Sequence, residues 1–258
     1  MKIKLKRLSK EAVIPTYAKK GDCGLDLTAI SCTTTHRYTE YDTGIAVAIP
    51  EGYTAQLNVV YTKVNGWEGR ADLYLAPKAI KPTPIVINIH GGGWRSGVKE
   101  TQGGFNPFFK AGFAVANMEY RLSGQASAPA AIEDTRCMLL YIINNAKQLN
   151  IDPNKIVIMG GSAGGHLALM AGLLGNDHRF DTNCLGTENI KVAAIIDKYG
   201  IMDVWDWTYG PEHKSSSPKL WLADKVNDNE FIKSVSPISY AVSYTHLRAH
   251  ETGRNLVC

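Results

Sequence analysis

Lys155-Ile156-Val157-Ile158-Met159-Gly160-Gly161-Ser162-Ala163-Gly164-Gly165-His166 is the stretch whose reading decides the fold of this chain. After the leading lysine comes a short apolar, β-branched run, the pattern of a strand buried on both faces. It stops at Gly-x-Ser-x-Gly, and an apolar, helix-forming run follows from about Ala163 to Leu174. A strand that turns into a helix at such a serine is a nucleophile elbow. The flanking glycines let the backbone turn tightly and keep side chains away, so the Ser162 hydroxyl stands exposed above the sheet. That hydroxyl is a weak nucleophile until a neighbouring imidazole takes its proton.

Working outward, a second glycine motif, His90-Gly91-Gly92-Gly93-Trp94, also follows a buried strand, Pro84-Ile85-Val86-Ile87-Asn88-Ile89. Its backbone N–H groups are placed to hold an oxyanion. We therefore expect Gly91, Gly92 and Ala163 to form an oxyanion hole beside the candidate nucleophile Ser162. Upstream, Leu57 to Val64 and Arg70 to Leu75 are β-rich runs joined through Asn65-Gly66, a hairpin signal. Phe105 to Ala111 reads as a helix interrupted by Pro107, and Gly112 to Met118 as a buried strand. Pro129 suits a helix start, and apolar residues recur at helical spacing from Ile132 to Leu149. Asp152-Pro153-Asn154 reads as a turn and Ile190 to Tyr199 as a further strand. Buried strands alternating with helices imply an α/β fold, a mostly parallel, doubly wound sheet with helices on both faces.

Residues from about 57 to 240 resemble the α/β-hydrolase fold, in the hormone-sensitive-lipase-like branch and nearest to small bacterial carbohydrate and feruloyl esterases. The residues that carry this resemblance are the two glycine motifs, Tyr120-Arg121-Leu122-Ser123, Ile132-Glu133-Asp134 and Ile151-Asp152-Pro153, with Tyr199-Gly200-Ile201-Met202-Asp203 and Ser236-Pro237-Ile238-Ser239-Tyr240. The resemblance implies a serine esterase acting through an acyl-serine intermediate on a small-molecule ester, an acetyl or feruloyl carbohydrate ester first and an aryl formamide as the alternative. It implies no cofactor and no metal. In this family the position of His90 braces the glycine loop, and His166 is expected to be structural too. Asp134 is expected to contact Arg121 rather than join a triad. Asp197 and Asp203 follow the serine, as a triad acid does, but one strand too early. His246 and His250 fall where a catalytic histidine belongs by chain order, with nothing to position them.

Both ends depart from this family. Residues 1–56, around Gly24-Leu25-Asp26-Leu27, resemble the opening of a dUTP diphosphatase, an all-β trimer whose site is built from five motifs. Only the first is present, so this β-rich fragment is expected to form no dUTP site, and Asp26 to be a surface or turn residue. Residues 242–258 resemble translated adapter DNA. The expected organisation is thus a fragment at 1–56, a hydrolase domain at 57–241 that lacks its last strands, triad acid and histidine, and a non-native tail at 242–258. A chimeric, truncated chain of this kind is expected to be a poor esterase with an exposed sheet edge.

Composition narrows the function classes. The net charge of +4 is concentrated outside residues 57–241, which leaves no electrostatic footprint for nucleic acid or an anionic membrane. The 5 cysteines are scattered without metal-ligand spacing, which suggests free thiols or one incidental disulfide. No run is apolar enough to span a membrane, and no signal peptide is visible, so the expected location is cytoplasmic unless the native N-terminus has been lost.

Overall fold

The computed structural model describes residues 5–7, 10–13, 31–34, 39–42, 45–47, 50, 52–77, 81–211, 215–241, 248–249 and 255–257. The chain divides into two units, residues 1–51 and 52–258. In the first, β1 (Leu5–Arg7), β2 (Ser31–Thr34), β3 (Thr39–Asp42) and β4 (Ile45–Val47) form two antiparallel pairs, β1 with β4 and β2 with β3. Asp26, and with it the dUTP-diphosphatase motif, lies outside the described residues.

The second unit is one sheet with helices against it. It begins with β5 (Thr54–Val64), β6 (Trp67–Leu75) and β7 (Thr83–Ile89), then α1 (Asn106–Lys110) and β8 (Ala114–Met118). Next come α2 (Ala130–Asn144), α3 (Ala146–Leu149), β9 (Ile151–Gly161), α4 (Ala163–Leu173) and β10 (Ala194–Lys198). The last elements are α5 (Val204–Tyr209), α6 (Ser217–Leu222), α7 (Asn229–Ser234), β11 (Arg248–Ala249) and β12 (Asn255–Val257). The strand order is β11-β12-β10-β9-β7-β8-β6-β5. Strands β8, β7, β9 and β10 pair in parallel; β6 runs against both β8 and β5. Within the six strands β5 to β10, only β6 is therefore reversed. This is the α/β-hydrolase architecture, a mostly parallel sheet carrying helices.

The continuous apolar runs have a direct cause. Ile85, Ile87, Ile89, Ala114, Ala116, Ile156 and Ile158 point to one face of the sheet and share a core with side chains of α2 and α4. Their in-between neighbours Val86, Val115 and Met159 point to the other face, where Phe105, Phe108 and Phe109 at α1 cover them. A side-chain period of two on a strand buried on both sides leaves few polar positions, and the two buried ones in β7 and β8, Asn88 and Asn117, bond each other (3.0 Å). At the hairpin between β5 and β6, Asn65 (φ 48°) and Gly66 (φ 81°) are both left-handed, as a two-residue primed turn requires.

Several expectations are corrected. The boundary at 56/57 falls inside β5, which begins at Thr54, because the antiparallel pairing with β6 runs on to Thr54 opposite Leu75. Pro107 does not interrupt its helix; it sits in the first turn of α1, where a missing N–H costs nothing. The long helix ends at Asn144 and resumes as α3. The Asp152-Pro153-Asn154 turn is absorbed into the start of β9, and β10 is shorter than the apolar run that announced it. The edge of β10, expected to be bare, is instead covered: β12 pairs antiparallel with it, Ile196 opposite Val257, and β11 pairs with β12. Cys137 of α2 and Cys184 form a disulfide.

Candidate active site

Ser162 occupies the joint between β9 and α4 with φ 54° and ψ −122°, a conformation an L-residue adopts only under strain of order 1–3 kcal/mol. The surroundings hold it there. Its N–H donates to Lys198 O (2.9 Å) at the end of β10, and its carbonyl accepts from His166 N (3.0 Å) inside α4. The glycines are needed for approach. A Cβ on Gly91 would lie 2.8 Å from Gly161 O, and one on Gly164 would collide with the Ile89 and His90 carbonyls. Strand β7 thus delivers the His90–Gly93 loop directly onto the elbow, with the Gly91 Cβ position 3.5 Å from Ser162 Cβ. Ala163 opens α4, where backbone N–H groups have no intrahelical acceptor and the helix dipole favours negative charge.

The glycine loop is held at both ends. The His90 ring stacks on Tyr120 (centroids 4.3 Å apart), and its Nδ1 lies 2.7 Å from Gly91 O. Burial lowers the His90 pKa, so the ring is neutral, Nδ1–H donates, and the buried Nε2 has no hydrogen-bond partner. His90 is therefore not bonded to Ser162. On the far side, buried Lys99 Nζ donates to Asp72 Oδ2 (3.0 Å), while Lys99 O accepts from Asn117 Nδ2 (2.7 Å). Trp94 stacks on Trp221 of α6 with centroids 4.6 Å apart.

His166 is fully buried one turn into α4. Its Nε2 lies 2.8 Å from Val235 O, and its Nδ1 accepts from Trp94 Nε1 (3.3 Å). Both nitrogens are engaged, and burial pushes its pKa down to about 4. It cannot act as a base here. The acids are committed as well. Asp134 binds Arg121 through its side chain (Nε to Oδ1, 3.0 Å) and its N–H (2.8 Å), and burial raises its pKa to about 6. Asp203 caps α5, accepting from Trp205 N and Asp206 N. His178 pairs with Asp181 (2.6 Å), which also binds Arg136. Arg136 in turn holds Ala171 O and Gly175 O, at the end of α4 remote from Ser162. Among the described residues no imidazole–carboxylate pair therefore reaches Ser162. His246 and His250 lie outside the described residues.

On the other flank of the elbow, the sequence marked Asp197 and Tyr199-Gly200 without giving Tyr199 a role. Asp197 of β10 is buried and accepts from Gly200 N (2.8 Å), closing a turn in which Tyr199 is left-handed (φ 52°). Burial raises the Asp197 pKa to about 6. The Tyr199 ring lies over Gly161: its Oη is 3.1 Å from where a Gly161 Cβ would stand. The clue available in the sequence was a tyrosine directly before a glycine at a strand end.

A family model, BD-FAE, matches residues 71–246. The chain belongs to the BD-FAE family. Beyond that model, esterase LipC of Mycobacterium tuberculosis is 30% identical over 134 residues, covering 51% of this chain and 33% of LipC. Esterase LipQ of the same organism is 28% identical over 199 residues, covering 74% of this chain and 47% of LipQ. The chain spans half or less of the length of these relatives. Among solved structures, a truncated form of a carbohydrate esterase from gut microbiota superposes with a TM-score of 0.64 at 26% identity, covering 75% of this BD-FAE chain and 74% of that one.

Proposed function

We propose that this BD-FAE chain carries the nucleophile and oxyanion half of a serine carboxylic-ester hydrolase acting on a small-molecule ester. The observation that supports this most is the left-handed Ser162 at the β9–α4 joint with the Gly91–Gly92 loop packed against it. Ser162 Oγ attacks the ester carbonyl and loses its proton to solvent, while the carbonyl oxygen, now an oxyanion, faces the N–H groups of Gly91, Gly92 and Ala163. The tetrahedral adduct collapses to acyl-serine and alcohol, and water then releases the acid. LipC and LipQ are named as esterases and the structural relative as a carbohydrate esterase, which favours a carbohydrate ester; the acetyl or feruloyl group, and an aryl formamide as the alternative, rest on the motif resemblance alone.

Among the described residues Ser162 has no base. With no imidazole in reach there, the serine proton passes to solvent and attack by Ser162 is slow. Slow hydrolysis of 4-nitrophenyl acetate, methyl ferulate, an acetylated xyloside or formanilide is therefore expected, falling to background in Ser162→Ala. Hydrolysis equal in the two proteins, or none of any ester, overturns the reading. No observation favours dUTP hydrolysis. The Cys137–Cys184 disulfide supports an oxidising compartment rather than the cytoplasm. Among the described residues no helix is long and apolar enough to cross a membrane.

A further inference from the structure

The strand order gives the two sides of Ser162 different characters. β9, which carries the elbow, lies between β7 and β10. The Gly91–Gly92 loop leaves β7 on one side, and Tyr199 leaves β10 on the other. Once the ester oxygen turns toward the glycine loop, the acyl and alkoxy arms of the tetrahedral carbon splay away from it. At least one arm then faces the β10 side. Tyr199 is what stands there, its ring over Gly161, the residue directly before the serine.

Packing does not account for Tyr199. It is 63% exposed, so little of its ring is buried in return for a left-handed backbone. That backbone is nonetheless held firmly. Asp197 Oδ1 accepts from Gly200 N, and Gly200 lies so close to Gly165 and His166 of α4 that a Cβ on it would stand 2.7 Å from Gly165 C and 2.8 Å from His166 N. A strained, exposed aromatic kept in one place beside a nucleophile is a common mark of a substrate-contacting position.

We propose that Tyr199 is a substrate-contacting, specificity-determining residue, the wall on the β10 side against which a ring-bearing arm of the ester stacks. This rests on the esterase reading of Ser162. The ligand chemistry is a flat or CH-rich ring face, which either a hydroxycinnamoyl acyl group or a pyranose alcohol presents.

Binding tests it without turnover. Dissociation constants of the full chain for ferulate, methyl β-xyloside and ring-free butyrate are compared in wild type, Tyr199→Phe and Tyr199→Leu. The Phe variant keeps the flat face; the Leu variant keeps bulk and loses it. Tyr199→Leu is expected to weaken ring binding by about tenfold, the upper range of a stacking contact. Tyr199→Phe should stay within about threefold, and butyrate should be unchanged in both. Loss confined to ferulate supports the proposal and puts the ring on the acyl arm; loss confined to the xyloside supports it with the ring on the alcohol arm. Equal ring binding in Tyr199→Leu and wild type, no ring binding in wild type, or a parallel loss of butyrate overturns it. Ester hydrolysis is followed separately. Ring binding through Tyr199 with no hydrolysis would refute the esterase reading alone; hydrolysis with ring binding indifferent to Tyr199→Leu would refute the wall alone.

Discussion

His166 shows how a residue that looks catalytic is taken up by the core. It sits four residues after Ser162, yet the interior surrounds it and both its nitrogens are bonded. Its pKa is about 4 in the folded protein, against roughly 6.5 in an unfolded chain. The folded state therefore binds fewer protons than the unfolded state between these values. The stability this contributes is complete above pH 6.5 and is lost as the pH falls toward 4, by up to about 3 kcal/mol. His166→Phe removes the titration. Denaturant titrations should find it less stable than wild type at pH 7, with the gap narrowing by about that amount at pH 4. A gap that does not change with pH would contradict the buried neutral imidazole. Asp134 and Asp197 shift the other way, raised to about 6 by burial, so each favours the fold toward acid. Comparing the variant with wild type cancels their contribution.

At the level of elements, the site is a meeting of three strand ends. β7 brings the oxyanion loop, β9 the nucleophile and β10 the Asp197–Gly200 turn, and the glycines set how close they come. Gly91→Ala places a methyl 2.8 Å from Gly161 O and 3.5 Å from Ser162 Cβ, so one of two backbones has to move. Overpacking of this kind costs about 1–3 kcal/mol. An accompanying shift of the oxyanion donors by about 1 Å costs on the order of 10² in rate. We expect a Tm lower by a few degrees and Ser162-dependent hydrolysis reduced about 10²-fold. Full activity in Gly91→Ala would remove Gly91 from the oxyanion hole. The strands themselves were legible beforehand, because a doubly buried strand has to be apolar at nearly every position. Their ends were not. Thr54 to Gln56 belong to β5 through cross-strand pairing with β6, and no local composition announces that pairing.

For the whole molecule, the disulfide is the longest-range covalent constraint among the described residues, tying α2 to Cys184 across 47 residues of sequence. Closing a loop of that length removes unfolded-chain entropy worth about 4 kcal/mol. The Cys137→Ala/Cys184→Ala double variant should unfold at a correspondingly lower denaturant concentration. An unchanged midpoint would show that the bridge does not constrain the unfolded chain. The sequence alone determined the two glycine motifs, the serine between a strand and a helix, and the alternating α/β order. Short-range sterics impose those features, so they are written locally: Gly-x-Ser-x-Gly permits a turn that few other sequences permit. Only the tertiary structure decided which atoms satisfy His166, Trp94 Nε1 and Val235 O, and that β12 covers the edge of β10. It also decided that Tyr199 stands over the elbow. Those outcomes depend on which side chains meet across strands and helices dozens of residues apart. The Tyr199-Gly200 pair at a strand end hinted at a turn, but the positive φ of the tyrosine is imposed by the surrounding contacts, since the residue type does not favour that conformation.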